Sequence, residues 1–278
     1  MQTVFFIDTS SHFQLNHRAL RDLVLLPNNN WCCDHRGSKY VYQPRLHADH
    51  FQQLVESSTS LRNLLDFFWS DIWINTMYQY VSVAKQDYFT QSHINSFHRC
   101  KFESSGYVTS ATPYTATPYT DKDLYDNNSI PIFPQIEFSC ITPGCGIPAH
   151  LDRQDKLASI LIYLPTDLQN NHPLLGTKFW ISKNSQPFCP EDYSYDDYRF
   201  LDELEEDRLA SATNALILPF TNASTVMFAS NLKSWHSIHY PRDINLGPRV
   251  SININFYKAV QLMKRDHFNL NFELARQI

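Results

Sequence analysis

The chain has 278 residues, a net charge of −5 and an apolar content of 43%. This length suits one large domain, or one domain with an extension. The acidic balance and the lack of a long basic run argue against a protein that binds nucleic-acid phosphates. No apolar run approaches the ~18 residues of a membrane span, and the N-terminus lacks the basic flank of a signal peptide. We therefore expect a cytoplasmic protein that binds neither nucleic acid nor membrane.

The six cysteines stand at irregular spacings. Without a secretion signal, we expect them to be free thiols in a reducing compartment. Cys32-Cys33 and the pair Cys140 and Cys145 are alternative metal ligands. However, no second Cys pair or Cys/His cluster has the spacing of a zinc finger, so the sequence favours thiols.

The first half of the chain is predicted to be a helical support region. A short strand is expected at residues 4–7 and a helix over about 13–26. Apolar residues at helical spacing over 48–68 predict two helices that are separated near 57–60. Residues 72–83 are apolar enough for a third buried element, either a helix or a strand. We expect these elements to cover one face of a sheet.

Residues 103–135 are predicted to be an irregular connection. They contain the repeat Thr-Pro-Tyr-Thr, at 112–115 and again at 117–120, followed by sequence rich in Asp, Asn and Pro. Such a composition disfavours regular structure. The alternative is a loop that borders an active-site mouth, where long functional loops tend to lie.

From residue 135 onward the pattern changes to short strands. The candidate strands are 135–141, 146–152, 157–164, 177–183, 214–219, 224–230, 235–239 and 249–257. Eight short strands with turn signals between them predict an α+β, mainly β fold, with a double-stranded β-helix, or jelly roll, as its core. Residues 258–277 are expected to form a C-terminal helix. We assign 1–134 to the support region and 135–278 to the core, together one compact domain.

The last candidate strand has a polar face and an apolar face, because side chains alternate along a strand. The polar face carries Arg249, Ser251, Asn253 and Asn255. Buried polar groups need partners, and a charged ligand inside the barrel would supply one. The apolar face can pack against the N-terminal helices.

A candidate metal site begins at His150-Leu151-Asp152. Residues i and i+2 of a strand point to the same face, so His150 and Asp152 can offer a nitrogen and an oxygen to one ion. A second histidine, His236, lies far downstream in Ser-Trp-His-Ser-Ile. Two histidines and one carboxylate, with other positions open, form the ligand set of non-haem Fe(II) oxygenases.

The order of the following segments resembles the 2-oxoglutarate/Fe(II)-dependent dioxygenase superfamily, in its prolyl-hydroxylase-like branch. His-x-Asp is followed by a buried strand that ends near Tyr163, then by Trp235-His236 and by Arg249-Val250-Ser251. The resemblance covers about residues 136–257. It implies Fe(II), 2-oxoglutarate and O2, with release of succinate and CO2 as an unactivated C–H bond is hydroxylated. Relatives that halogenate lack the carboxylate ligand, so the aspartate makes hydroxylation the default.

The same resemblance implies roles for individual residues. His150, Asp152 and His236 are the metal ligands and thereby the catalytic residues. Arg249 is expected to hold the far carboxylate of 2-oxoglutarate, because its planar fork matches a carboxylate. Ser251 and Tyr163 are assigned to the same carboxylate. The alternative for the tyrosine is a half-buried core residue.

The distal histidine also has an alternative. The gap from His236 to Arg249 is longer than is usual in this branch, and the gap from His239 fits better. The segment Trp-His-Ser-Ile favours His236, and an insertion around residues 243–245 would absorb the difference.

An acidic stretch, 191–208, separates the two halves of the barrel. We expect a solvated helix and loop, and the alternative is a lid that attracts a cationic substrate. Two other classes of protein stay open: a jelly-roll module that binds without catalysis, and a cupin-type metalloenzyme that does not use 2-oxoglutarate. A free amino acid, a peptidyl residue and a small metabolite are all candidate substrates, and the sequence does not predict the oligomeric state.

Overall fold

The structure is a computed structural model. It describes residues 4–7, 15–26, 31–33, 39–85, 89, 93–102, 114, 118–119, 128–153, 155–184, 188–190, 200–222, 225–231 and 233–259. Within these ranges, helices gather near the N-terminus and strands dominate the second half.

The strands are β1 (Val4–Ile7), β2 (Cys32–Cys33), β3 (Tyr40–Tyr42), β4 (Ser96–Arg99), β5 (Lys101–Phe102), β6 (Pro118–Tyr119), β7 (Ser129–Ile141), β8 (Gly146–His150), β9 (Lys156–Tyr163), β10 (Lys178–Ser182), β11 (Thr213–Ile217), β12 (Thr225–Ala229), β13 (His236–His239) and β14 (Arg249–Lys258). The helices are α1 (His17–Val24), α2 (Ala48–Ser57), α3 (Thr59–Phe68), α4 (Asp71–Ala84) and α5 (Glu203–Ala212), with a 3₁₀ turn at Pro44–Leu46.

Strands β7 to β14 are divided between two sheets. The large sheet contains the order β12-β9-β14-β7, and the small sheet has the order β11-β10-β13-β8. All pairings among these strands are antiparallel. A chain that passes back and forth between two sheets in this way forms a double-stranded β-helix, or jelly roll. The fold class and the eight core strands predicted from the sequence are confirmed.

Strand β7 begins earlier than predicted, at Ser129. The prediction of irregular structure is therefore wrong for residues 129–134. Pro134 is tolerated because it lies between the stretch of β7 that pairs with β4 and the stretch that pairs with β3. Among the described residues, neither β4 nor β3 pairs with residue 134, so the missing N–H of this proline costs no hydrogen bond on that edge of β7. The expected boundary at 134/135 falls within this strand, and most of 103–127 lies outside the described residues.

The N-terminal helices begin at capping residues. Asn16, Ser58 and Ser70 each accept a hydrogen bond from the backbone N–H three residues later, which satisfies a donor that the first helical turn leaves unpaired. Ser58 separates α2 from α3 and confirms the predicted break. The third predicted element is a helix, α4.

These helices cover the large sheet. One buried cluster contains the apolar face of β14 together with helix side chains such as Leu20, Phe51, Leu65 and Trp73. Burying a side chain of this size typically contributes about 1.5–3 kcal/mol relative to leaving it in water. The predicted packing of the support region is confirmed. Because β14 buries its apolar face here, its polar face turns to the space between the sheets.

The N-terminal region also extends the large sheet. β1 pairs with β12, and β3 pairs with β7. Lys39, just before β3, forms an ion pair with the side chain of Glu137 in β7.

Three other predictions have simple outcomes. Residues 260–277 of the predicted C-terminal helix lie outside the described residues, and β14 runs on to Lys258. No disulfide links Cys100, Cys140, Cys145 or Cys189, and the side chains of the Cys32-Cys33 pair are not described. Among the helices of the described ranges, none has the length and apolar character needed to cross a membrane.

Candidate metal centre

Strands β8 and β13 bring two histidines together. His150 ends β8, His236 begins β13, and the two are register partners in the antiparallel pair. Their ring centroids are 4.2 Å apart, and both side chains are buried. The small sheet thus joins two residues that stand far apart in the sequence.

Asp152 completes the cluster from outside the strand. β8 ends at His150, so the prediction that a strand continues through residue 152 is wrong. The carboxylate nevertheless converges on the histidines. One potential ligand atom from each of the three residues lies within 4.8 Å of the others, and all three residues are buried. No other such group of His, Cys, Asp or Glu occurs in the described ranges.

The two imidazoles are oriented by the same device. His150 Nδ1 donates to the Pro148 carbonyl at 2.8 Å, and His236 Nδ1 donates to the Ser234 carbonyl at 2.9 Å. A carbonyl oxygen only accepts, so each proton sits on Nδ1 and each lone pair on Nε2. Metal-binding histidines are typically fixed in this way. In this arrangement Nε2 is the atom of each ring that could bind a metal ion.

The charges of the cluster suit a divalent cation. Burial and, to a smaller extent, the neighbouring His236 lower the pKa of His150 to about 3. Burial also lowers the pKa of His236. For Asp152, burial opposes ionisation, but Lys156 and then the histidines outweigh it and hold the pKa of the carboxyl below its usual range. Neutral imidazoles and an ionised carboxylate are the protonation states that metal binding requires.

Lys156 and Ser159 hold the carboxylate of Asp152. Lys156 Nζ donates to Oδ1 at 2.8 Å, and Ser159 Oγ donates to Oδ2 at 3.3 Å. Ser159 Oγ is also 3.0 Å from Asn255 Oδ1. A hydroxyl has one proton, so Ser159 cannot donate to both acceptors. With the oxygen and nitrogen of the Asn255 amide exchanged, the amide N–H donates to Ser159 Oγ, and Ser159 donates to Asp152. Sequence reasoning missed Lys156, because a lysine four residues after an aspartate carries no metal-site signal.

A cavity of about 360 Å³ lies between the two sheets. The cluster of His150, Asp152 and His236 lines it together with polar side chains from β7, β9 and β14 and from the residues just before β3 and β10. These include Lys39, Glu137, Lys156, Ser159, Thr177, Arg249, Ser251, Asn253 and Asn255. The polar face of β14 predicted from alternation therefore faces a cavity.

Arg249 is a buried cation in this cavity. Its Nε donates to the Leu175 carbonyl at 2.7 Å, and its Nη2 lies 3.5 Å from Thr177 Oγ1. The guanidinium carbon is 5.1 Å from the ring centroid of Tyr163 and 4.9 Å from that of Phe220. No carboxylate of the described residues pairs with it. A buried charge without a counter-ion is costly, so an anion that enters the cavity would be stabilised here.

The two other residues assigned to the co-substrate lie close to Arg249. Tyr163 is fully buried; its hydroxyl donates to Thr177 Oγ1 at 2.8 Å and it does not line the cavity. Ser251 lines the cavity but donates its proton to Asn253 Oδ1 at 3.0 Å. Thr177, which sequence reasoning missed, places its hydroxyl between the tyrosine and the guanidinium.

The structure brings His236, and not His239, to His150 and Asp152. His239 pairs with Gly146 at the far end of β8, and its side chain is exposed. The two histidines are three residues apart, so alternation turns them to opposite faces.

The described part of the acidic stretch is hydrogen-bonded to β8. Leu201 N–H donates to the Ala149 carbonyl at 2.9 Å, and Ala149 N–H donates to the Glu206 carboxylate at 2.5 Å. The Phe200 ring lies 5.2 Å from the His150 ring. None of residues 200–208 lines the cavity. This part is thus the predicted acidic helix, and 191–199 lie outside the described residues.

The strand order and the site together define a class: a jelly roll with a two-histidine, one-carboxylate cluster between its sheets. No protein-family model and no curated protein matches the chain. Solved structures of similar fold include a prolyl hydroxylase from Trichoplax adhaerens in complex with a hypoxia-inducible-factor peptide, with 9% identity, coverage of 95% of this chain and 87% of that one, and a TM-score of 0.44.

Two further solved structures are similar to a comparable degree. The epimerase SnoN, in complex with Fe3+, alpha ketoglutarate and nogalamycin RO, has 9% identity over 92% of this chain and 79% of its own, with a TM-score of 0.45. HygX from Streptomyces hygroscopicus, with nickel and 2-oxoglutarate bound, has 9% identity over 92% and 83%, also with a TM-score of 0.45. The function proposed below rests on the site itself.

Proposed function

We propose that the chain is a non-haem Fe(II)- and 2-oxoglutarate-dependent oxygenase that hydroxylates an unactivated C–H bond of an amino acid, a peptidyl residue or a small metabolite. The observation that carries the proposal is the convergence of His150, Asp152 and His236 in a cavity that also holds the buried cation of Arg249, which pairs with no carboxylate of the described residues. A metal ion would bind the three-residue cluster, and a dianionic co-substrate would pair with the arginine.

The donor set fits Fe(II). Two imidazole nitrogens and one carboxylate oxygen on one side of an ion leave other coordination positions open. When bound, Fe(II) and 2-oxoglutarate supply the oxidation: one atom of O2 enters succinate, the other enters the substrate hydroxyl, and CO2 leaves. The protein holds the two rings through Pro148 and Ser234, and it holds the carboxylate through Lys156.

The surroundings of Arg249 fit the far carboxylate of 2-oxoglutarate. Nε donates to the Leu175 carbonyl and one Nη2 proton can serve Thr177, so Nη1 and the second Nη2 proton are left to form a fork with a carboxylate. The rings of Tyr163 and Phe220 keep the guanidinium in place. Thr177 offers a further hydroxyl at the cavity wall. In this arrangement Tyr163 contacts Thr177, which lies beside the Arg249 guanidinium. A direct contact between Tyr163 and the carboxylate of 2-oxoglutarate stays a prediction.

The two alternative classes account for less of the site. A binding module without catalysis gives no reason for neutral, oriented imidazoles beside an ionised aspartate. Cupin-type metalloenzymes normally use more histidines and need no inward arginine. Within the described residues, the cluster has two histidines and the cavity has Arg249.

Succinate formation tests the proposal. Purified protein is incubated under air with Fe(II) and 2-oxoglutarate, first alone and then with pools of candidate substrates. We expect succinate that requires both Fe(II) and 2-oxoglutarate, that rises with the right substrate, and that is lost in His150→Ala. Succinate at the level of His150→Ala in every pool would contradict the proposal.

A further inference from the structure

A lysine–glutamate ion pair lies in the wall of the same cavity. Lys39 Nζ donates to Glu137 Oε1, and Asn253 Nδ2 donates to the same oxygen at 3.1 Å. The two charged side chains are only 12% and 19% exposed, and all three residues line the cavity. Asn253 lies directly opposite Glu137 in the pairing of β14 with β7, and Lys39 reaches the same carboxylate from the β3 side of β7.

Both members of the pair keep hydrogen-bonding capacity. Oε1 of Glu137 receives both bonds, and within the described chain no donor reaches Oε2. Lys39 has one bonded acceptor among the described residues, and an ammonium carries three protons. The cavity wall therefore presents an acceptor with a negative charge beside donors with a positive charge.

Stability alone is a poor explanation for this pair. Removing two charges from water is expensive, and apolar residues of similar volume are often as stable or more stable. The other cations of the cavity are already engaged: Arg153 pairs with Asp155 at 2.5 Å and Lys156 pairs with Asp152 at 2.8 Å, while Arg249 suits the co-substrate. The Lys39–Glu137 pair is left to contact the molecule that is oxidised.

We infer that this pair binds the head group of a free α-amino acid, and that such an amino acid is the substrate. The substrate ammonium donates to Glu137 Oε2, and the substrate carboxylate accepts from Lys39 Nζ, so that opposite charges alternate around the contact. An internal residue of a peptide carries neither charge. This inference rests on the proposed function and narrows its substrate class.

The size of the cavity agrees with a small substrate. Its volume of about 360 Å³ is near the lower end of the ~300–1,000 Å³ typical of ligand pockets. The co-substrate occupies part of that volume, between the metal cluster and Arg249. The remainder suits a single amino acid.

Ligand-observed NMR under nitrogen tests the inference without turnover. The protein is loaded with Zn(II), which is redox-silent, and with 2-oxoglutarate, and each of the twenty standard L-amino acids is titrated in turn. We expect at least one to bind, and its N-acetyl and amide derivatives, which each lack one charge, to bind at least tenfold more weakly. This arm uses the unaltered protein, so it does not depend on whether a variant folds.

Variants identify the residues that read the head group. Glu137→Gln and Lys39→Met should each weaken binding at least tenfold, and Asp71→Asn should not change it. The control removes one charge from the exposed pair of Asp71 and Arg99 on α4 and β4, away from the cavity. An amino acid that chelated the metal directly would bind equally to Glu137→Gln and wild type.

The outcomes separate the two proposals. If 2-oxoglutarate itself does not bind the zinc-loaded protein in these samples, the proposed function fails. Three results overturn the substrate class alone, provided that 2-oxoglutarate binds. The first is that no amino acid binds. The others are that the N-acetyl or amide derivatives bind as tightly as the unmodified amino acid, or that Glu137→Gln binds it as tightly as wild type does.

Discussion

His150 and His236 face each other across β8 and β13, with ring centroids 4.2 Å apart. Each donates its Nδ1 proton to the carbonyl two residues earlier in its own chain segment. The geometry of the centre is therefore set by the backbone at the ends of two paired strands. Small changes in the pairing of β8 and β13 should therefore change the distance between the two rings directly.

Replacing the histidines of β13 one at a time distinguishes the distal ligand. His236→Ala should abolish Fe(II)-dependent succinate formation and weaken metal binding by at least about 100-fold, because even partners outside the coordination sphere typically cost 10–100-fold. His239→Ala should keep a folded, metal-binding protein with measurable turnover, since its side chain is exposed. Bound metal and succinate are measured on both variants. Metal loss in His239→Ala with retention in His236→Ala would reverse the assignment.

Arg249→Ala should raise the 2-oxoglutarate concentration needed for half-maximal turnover about 10–100-fold and leave Fe(II) binding nearly intact. A hydrogen bond to a charged group is worth about 1.5–3 kcal/mol, and 1.4 kcal/mol is a factor of ten. N-oxalylglycine should compete with 2-oxoglutarate in the unaltered protein. The matched control is Arg242→Ala, an exposed arginine in the loop before β14. An unchanged 2-oxoglutarate requirement in Arg249→Ala would show that Arg249 does not bind the co-substrate carboxylate.

Glu206→Ala should destabilise the protein by about 1–3 kcal/mol, because it leaves the Ala149 N–H beside His150 without its acceptor. The free energy of unfolding in urea measures the change. Asp207→Ala, an exposed site on the same helix, should stay within about 0.5 kcal/mol of wild type. Equal effects of the two substitutions would show that α5 does not brace β8.

The metal-free protein should lose stability as the pH falls below about 6.5. Burial, and next His236, lower the pKa of His150 to about 3 in the folded protein, from 6.5 without the fold. In this window the unfolded chain binds the proton first, so the free energy of unfolding falls with pH by up to ~1.4 kcal/mol per unit for this residue. Burial lowers the pKa of His236 in the same direction. Urea unfolding between pH 7.5 and 5 should have a shallower pH dependence in His150→Gln; an identical slope would contradict the effect.

Local patterns in the sequence predicted the parts of the fold that depend on local geometry. Alternation separated the two faces of β14, and the polar face does line the cavity. The break at Ser58 followed from a serine that caps the second of two helices. Strand alternation also explains why His236, rather than His239, reaches the cluster.

Alternation failed where the strand stops. β8 ends at His150, so the position of Asp152 depends on an irregular segment and on its contacts with Lys156 and Ser159. Local periodicity contains no information about such contacts.

The remaining features depend on register between distant strands. The pair of Lys39 and Glu137 joins side chains that stand 98 residues apart in the sequence, and it needs β3 to lie beside β7. Thr177 reaches Arg249 because β10 and β14 lie in facing sheets. Register is set by the packing of the whole core, so one-dimensional patterns do not predict these pairs.

An anaerobic titration with Fe(II) tests the central claim most directly. Fe(II) is added to the protein under nitrogen, with and without 2-oxoglutarate, and the visible spectrum is recorded for wild type and Asp152→Ala. A co-substrate that chelates the iron should produce a weak charge-transfer band that requires both components and that is lost in Asp152→Ala. A band that forms equally in the variant, or no band although Fe(II) and 2-oxoglutarate are both bound, would contradict the assignment of this centre.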